Sequence, residues 1–228
     1  MLKISGESLA GSHEQGFDFD ILNDLSQNIK TLTQKNIKIS IVLGGGNFIR
    51  GSSFSNGVID RVTSDYMGML GTVINSLALQ SNLEKIGVPS RVMTAISINR
   101  VAEPYIKNRA VRHLDKNRVV IFASGTGNPF FSTDTAAVLR ASEMKSDIIF
   151  KGTKVDGIYD KDPISNNDAT KINEISYSDY LNKDIKVMDT TAISLAKDRK
   201  IPIIIFSILN TSNINNIIDG KGSYSIIK

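Results

Sequence analysis

Four short stretches of the chain concentrate the residue types that handle phosphate: Lys3 to Glu7 (KISGE), Gly44 to Asn47 (GGGN), Gly125 to Pro129 (GTGNP) and Lys151 to Gly157 (KGTKVDG). Three consecutive glycines remove every β-carbon from a piece of backbone, so its N–H groups can close on an anion and form a concave seat for it. A tight strand-to-helix turn would use the same glycines, and a single such loop leaves both readings open. The second glycine loop, followed by Phe130, Phe131, Ser132 and Thr133, favours a phosphorylated ligand. The GxxxxGK[ST] loop is missing, and the dinucleotide pattern GxGxxG is met only by GTGNPF, where Phe130 replaces the third glycine needed for close helix packing.

What the chain lacks narrows the chemistry further. It has no cysteine and two histidines, His13 and His113. Disulfides, thiolate nucleophiles, Fe–S clusters and cysteine-held zinc are excluded. A Ser-His-Asp triad or a two-histidine metal site would have to use those two positions, and both read as surface histidines in loops. The 27 Lys and Arg exceed the 23 Asp and Glu by four, spread along the chain and not gathered in an arm. This balance suits a small polyanionic ligand and argues against nucleic acid, which wants a concentrated basic face. No apolar run approaches the roughly 20 residues that cross a bilayer, and no charged-then-apolar leader precedes Gly6. A cytoplasmic protein without a membrane partner is the expectation.

Such loops work only if a scaffold gathers them. Short β-branched runs at 37–43, 90–93, 118–123, 147–150 and 202–207 predict buried parallel strands. Between them, 20–35, 62–86, 133–145 and 190–200 carry apolar residues at helix-face spacing, with Gly87 and Pro89 ending the longest. The segment 220–227 predicts a turn and a last, edge strand. Strands alternating with helices define an α/β protein: a three-layer αβα sandwich around a mainly parallel open sheet, in one domain spanning 1–228. Ligands of such sheets sit beyond the carboxyl ends of the strands, and each glycine-bearing stretch follows a strand end.

The blocks KISGE at Lys3, GGGNFIRG at Gly44, DYMGMLGTVINSLAL at Asp65, TGNPFFSTDTAA at Thr126, KGTKVDGIYDKDP at Lys151 and KVMDTTA at Lys186 together resemble the bacterial uridylate kinases of the amino-acid kinase superfamily. The likeness runs in order over nearly the whole chain. It implies an amino-acid kinase-like fold with an acceptor-binding part over roughly 1–145 and an ATP-binding part over roughly 146–228. It also implies the reaction ATP + UMP giving ADP + UDP, with magnesium accompanying ATP.

By the same resemblance, Lys3, Ile4, Ser5, Gly6, Gly46 and Arg50 would lie against ATP, with Thr153, Tyr159 and Asp162 lining the adenosine pocket. Gly45 and Asp65 would contact UMP, and Thr126, Gly127, Asn128, Pro129, Phe130, Phe131, Ser132 and Thr133 would wrap its ribose and phosphate. Lys3, Arg50, Asp134 and Asp189 would carry catalysis. Without a ligand, Asp134 reads as a helix N-cap, Asp65 as a first-turn helix carboxylate and Tyr159 as core. A phosphate monoester is already an anionic nucleophile at neutral pH, so cations and backbone N–H groups suffice and the scarcity of histidine is no obstacle.

The chain begins Met1-Leu2-Lys3 where the family has several residues before the lysine that complete the first strand, so a truncated or mis-assigned start is the expectation. The segment 10–18 (AGSHEQGFD) departs from the family near the expected regulatory GTP site, which predicts altered response to GTP or UTP. Apolar residues on more than one face of the 62–86 helix, together with the resemblance, predict a homo-oligomer, a hexamer built from dimers. Two other functions share these features. A sister enzyme phosphorylating a carboxylate or carbamate would keep the ATP half, with only the Asp65 and Thr126 blocks against it. A nucleotide-sensing module would keep the glycine loops without needing Lys3, Arg50, Asp134 and Asp189 together.

Overall fold

The computed structural model describes residues 1–49, 58–183, 185–209 and 212–228. Its main sheet is built from β1 (Leu2–Ile4), β2 (Ser40–Leu43), β3 (Ser90–Thr94), β4 (Glu103–Pro104), β5 (Val119–Ala123), β6 (Ile149–Thr153), β9 (Glu174–Ile175), β10 (Ile203–Ser207) and β11 (Ser225–Ile227). They lie in the order β4-β3-β5-β2-β1-β6-β10-β11-β9, with every pairing parallel except β10 with β11. A separate antiparallel hairpin pairs β7 (Ile158–Tyr159) with β8 (Lys171–Ile172).

Helices cover both faces. On one side α2 (Phe19–Gln34), α3 (Arg61–Lys85) and α8 (Asn213–Ile218), with the short α1 (Gly6–Leu9), pack over Ile4, Ile41, Leu43, Ile121 and Phe206. On the other, α4 (Lys107–Asp115), α5 (Thr133–Met144), α6 (Tyr177–Asn182) and α7 (Thr190–Arg199) pack over Val42, Val120, Phe122, Ile203 and Ile205. The apolar runs therefore divide residue by residue between two cores, as the period-2 pleat demands of strands buried on both faces.

The three-residue β1 sits at the centre of the sheet between β2 and β6. Two expectations are corrected. β11 is an interior strand, because the two-residue β9 pairs outside it; a strand that short carries no readable alternation. β6 runs on to Thr153 instead of ending at Phe150, because Gly152 and Thr153 continue the ladder opposite Phe206 and Ser207 of β10. Lys151 is therefore a strand residue and not part of a loop. At the start of β2, the backbone of Ile37 is still tied to Leu32 at the end of α2, which delays the strand to Ser40.

Candidate active site

Lys3 in β1 and Lys151 in β6 are register partners on neighbouring parallel strands, so both side chains rise from the face covered by α5 and α7. Between them stands Asp134, in the first turn of α5. Lys3 Nζ lies 2.7 Å from Asp134 Oδ1 as an ion pair, and Lys151 Nζ donates to Oδ2 and to the carbonyl of Val187. All three residues are buried. Burial opposes the charge on Asp134, but the two lysines outweigh it and hold the carboxyl below its usual range. Burial pushes the Lys151 ammonium down to about 8; Asp134 works against this shift and the charge on Lys3 adds to it. Asp134 is not the helix cap: Ser132 caps α5, accepting from the N–H groups of Asp134 (3.0 Å) and Thr135 (3.2 Å). The Asp134 carboxylate is thereby left to the lysines.

Asp189 caps α7 by accepting from Ala192 N at 2.8 Å. It also accepts from Ser132 Oγ and, at 3.1 Å, from Thr135 Oγ1. One carboxylate thus fastens the starts of α5 and α7 to each other beside Lys151.

The glycine loop leaves β2 and packs backbone to backbone against its neighbours. A β-carbon on Gly6 would lie 2.6 Å from Gly46 N, and one on Gly45 would lie 2.4 Å from the carbonyl of Gly68 in α3. Only glycine permits this approach, which brings Ile4, Ser5 and Gly6 against 44–46. The cleft beside the loop is lined by Gly45, Asp65, Thr126, Phe131 and Thr133 of the proposed acceptor residues, by Gly46, and also by Ile49, Ser64, Gly68, Met69, Thr72 and Gly125. Gly46, expected on the ATP side, faces this cleft. Gly127, Asn128, Pro129, Phe130 and Ser132 do not line it.

Their loop is shaped by left-handed backbone at Ser124 (φ 63), Gly125 (φ 56), Gly127 (φ 83) and Phe130 (φ 70). The strained Ser124 is pinned by donation of its N–H to Thr72 Oγ1 at 2.7 Å. Asp65 lies past the first turn of α3, whose cap is Asp60, so the first-turn reading is corrected. Its Oδ2 accepts from Phe130 N at 2.7 Å and its Oδ1 from Arg61 Nε at 2.9 Å.

A second cavity of about 360 Å³ lies beyond β6, lined by Tyr159, Asp162, Val155, Gly157, Lys186 and Val187 among others. Tyr159 lines this cavity and is not core; its hydroxyl donates to Asp156 Oδ1 at 2.6 Å. Burial works against the Asp156 charge, yet donation from Lys171, Tyr159 and Ser223 pulls its carboxyl down to about 2. Thr153 stands off the cavity, its side chain folded into the turn with Val155. Arg50 lies outside the described residues. The sequence alone leaves Lys151 without a role, because KGTK looks like a turn and only the pairing with β10 makes it a strand residue.

Clefts beyond the strand ends of a parallel sheet, joined to a buried lysine pair through Thr133–Asp134 and through Val187, belong to an α/β fold whose site suits phosphoryl transfer. The chain matches the amino acid kinase family over residues 1–207, and it belongs to that family. It is 54% identical over 231 residues to a uridylate kinase of Sulfurimonas denitrificans, covering 100% of this chain and 98% of that one. A uridylate kinase of Wolbachia pipientis is 53% identical over 227 residues, covering 100% and 92%. Among solved structures, the UMP kinase of Bacillus anthracis superposes with a TM-score of 0.95 at 39% identity, covering 100% of this chain and 94% of that one.

Proposed function

We infer that this chain transfers the γ-phosphoryl of ATP to UMP, giving ADP and UDP, a step of pyrimidine nucleotide biosynthesis. The observation that carries the reading is the link from the lysine pair to both clefts. Asp134 directly follows Thr133 of the acceptor cleft, and Lys151 binds the carbonyl of Val187, which lines the second cavity. A phosphoryl group passing between the clefts meets two ammonium groups whose own repulsion Asp134 relieves. Charge neutralisation of this kind, with in-line placement, is what phosphoryl transfer needs from a protein. The test is ADP release with ATP, magnesium and, separately, UMP, CMP, AMP, aspartate, acetylglutamate and carbamate. UMP should be clearly preferred, and an equal rate with an amino acid would overturn the reading.

Within that reading, Lys3, Asp134 and Asp189, with Arg50, form the catalytic group, joined by Lys151. Lys3, Ile4, Ser5, Gly6, Gly46, Thr153, Tyr159 and Asp162 serve ATP; Gly45, Asp65 and 126–133 serve UMP. We propose the same division, an acceptor part over roughly 1–145 and an ATP part over roughly 146–228, with Lys3–Gly6 and Gly46 reaching ATP from the first part. Magnesium would travel with the ATP phosphates. The carboxylates near the lysine pair do not fit a protein-held ion, since Asp134 is engaged by lysines and Asp189 by hydroxyls and a helix end.

A homo-oligomer is supported by the exposed stripe Val62, Tyr66, Leu70 and Ile74 along α3, and its hexameric form is carried over from the family resemblance alone. Among the described residues no helix is long and apolar enough to cross a membrane, and the cytoplasm is the proposed location. GTP and UTP are the proposed effectors. Activation by GTP is expected to be weak, because 10–18 is engaged with the glycine loop, where Gly16 N donates to the carbonyl of Asn47 at 3.0 Å. A large saturable rate increase with GTP at subsaturating ATP would contradict this.

A further inference from the structure

The asparagine that closes the GGGN block has no part in the roles assigned above, yet its surroundings are unusually complete. Asn47 is 1% exposed and Asn75, in the middle of α3, is fully buried. Their amides pair reciprocally: Asn47 Nδ2 donates to Asn75 Oδ1 at 2.9 Å, and Asn75 Nδ2 donates to Asn47 Oδ1 at 2.7 Å. The remaining donors are also used. Asn75 Nδ2 reaches the carbonyl of Gly44 at 2.6 Å, and Asn47 Nδ2 reaches the carbonyl of Gly16 at 2.8 Å. Asn75 therefore grips both ends of the four-residue glycine loop, its first carbonyl and its last side chain. Asn47 in turn fastens the loop to the 10–18 segment, where Phe17 packs edge-on against Phe48 with ring centroids 5.3 Å apart.

A buried amide pair in which every N–H is spent is costly to leave half made, so it specifies one backbone path. That path matters here because the three glycines before Asn47 have no side chains with which to hold their place. Gly45 and Gly46 present backbone to the acceptor cleft, and their N–H directions depend on where Gly44 and Asn47 are anchored.

We propose that Asn75 is a positioning residue for phosphoryl transfer, setting through Gly44 and Asn47 the geometry of the backbone that faces the phosphates. The proposal rests on the reaction inferred above and deepens it. Relaxing either anchor displaces groups that must be aligned when the phosphoryl moves, while most of the contacts that hold the two nucleotides persist. Misplacement on the order of 1 Å costs on the order of a hundredfold in rate even when its origin lies away from the reacting atoms.

The intact protein is assayed with ATP and UMP; turnover by the unaltered chain tests the reaction by itself, and its absence would sink that reading before any variant is compared. Asn75→Leu, Asn75→Ser and Asn47→Ser are set beside Asn82→Leu. The Asn82 amide, on the same helix, donates to the Leu22 carbonyl (3.2 Å) and Ser26 Oγ (3.1 Å) of α2 and not to the loop. Well below each unfolding midpoint, kcat should fall by at least about tenfold in the Asn75 and Asn47 variants, with both KM values within about threefold. Asn82→Leu should lower the midpoint and leave kcat within about twofold. An unchanged kcat in the folded Asn75 variants, or an equal fall in Asn82→Leu, overturns the proposal. Failure of all three loop variants to fold overturns it too, since the pair would then be a requirement of folding alone.

Discussion

Lys3 and Lys151 occupy one register position on adjacent strands, and the carboxylate of Asp134 lies between their ammonium groups. Parallel pairing puts the two side chains side by side on one face, where in isolation they would repel. The buried carboxylate makes the arrangement tenable, and helix α5 delivers that carboxylate because Ser132 has already satisfied the helix end. On the proposed reaction, a transferring phosphoryl would meet two positive groups held in place by Asp134.

Loss of Lys3 should therefore act on turnover more than on affinity. An interaction that strengthens only as charge redistributes lowers the barrier without tightening the ground state. Lys3→Ala is expected to lower kcat about a hundredfold, on the order of 3 kcal/mol, by comparison with loss of an oxyanion-hole donor. The KM for UMP should stay nearly constant. Steady-state kinetics with both substrates check this, and an unchanged kcat would refute it.

Lys151 gives a pH signature. Its ammonium titrates at about 8, below the ordinary lysine value of 10.5. The charged form is the one that attracts phosphate, so kcat/KM, which reports the free enzyme, should fall as pH rises through about 8. The stability sign is the opposite. A lysine whose folded value is depressed disfavours folding while protonated, so this contribution improves as pH climbs from about 8 toward 10.5. Lys151→Arg, whose guanidinium stays charged throughout, should lose the alkaline limb even though its absolute rate drops. A limb that persists unchanged in that variant would show that another group titrates.

How far the chain could be read without coordinates differs from element to element. The glycine loops, the start of α5 at Thr133 and the strands of the two cores were legible, because β-branched runs and helix punctuation are local signals. Lys151 was misplaced because KGTK looks like a turn, and only the ladder with β10, far away in the chain, makes it a strand. Helix α4 escaped notice because it buries just Ala110 and Leu114, too narrow a stripe to register. The Asn47–Asn75 pair spans 28 residues, and no spacing rule announces a contact between a loop and the middle of a helix.

The stripe on α3 leads to a prediction about assembly. Val62, Tyr66, Leu70 and Ile74 recur every four residues and are 38–47% exposed, whereas the opposite face of the same helix is buried in the core. Four apolar side chains in one row are the kind of surface that subunits cover. Light scattering at micromolar concentration should return a multiple of the 24.9 kDa chain mass, and Leu70→Glu should shift it toward that mass. A wild-type value of one chain mass would rule the assembly out.

Asp65 should separate the two substrates. Its carboxylate spends one oxygen on the Phe130 N–H and the other on Arg61, so it ties α3 to the acceptor loop across the cleft that both line. In Asp65→Asn one oxygen becomes an NH2 group, which has no lone pair for its former donor. Either the Phe130 N–H or the Arg61 guanidinium loses its charged acceptor, and because both contacts are exposed water takes its place and the tie weakens without a large stability cost. The loop carrying Phe131 and Thr133 then loses its fixed distance from α3, while the cavity at Tyr159 is untouched. The KM for UMP should rise about tenfold and the KM for ATP should stay within about twofold, because the altered contact lies wholly on the acceptor side. Parallel increases in both constants would mean that Asp65 supports the site as a whole and not the acceptor cleft in particular.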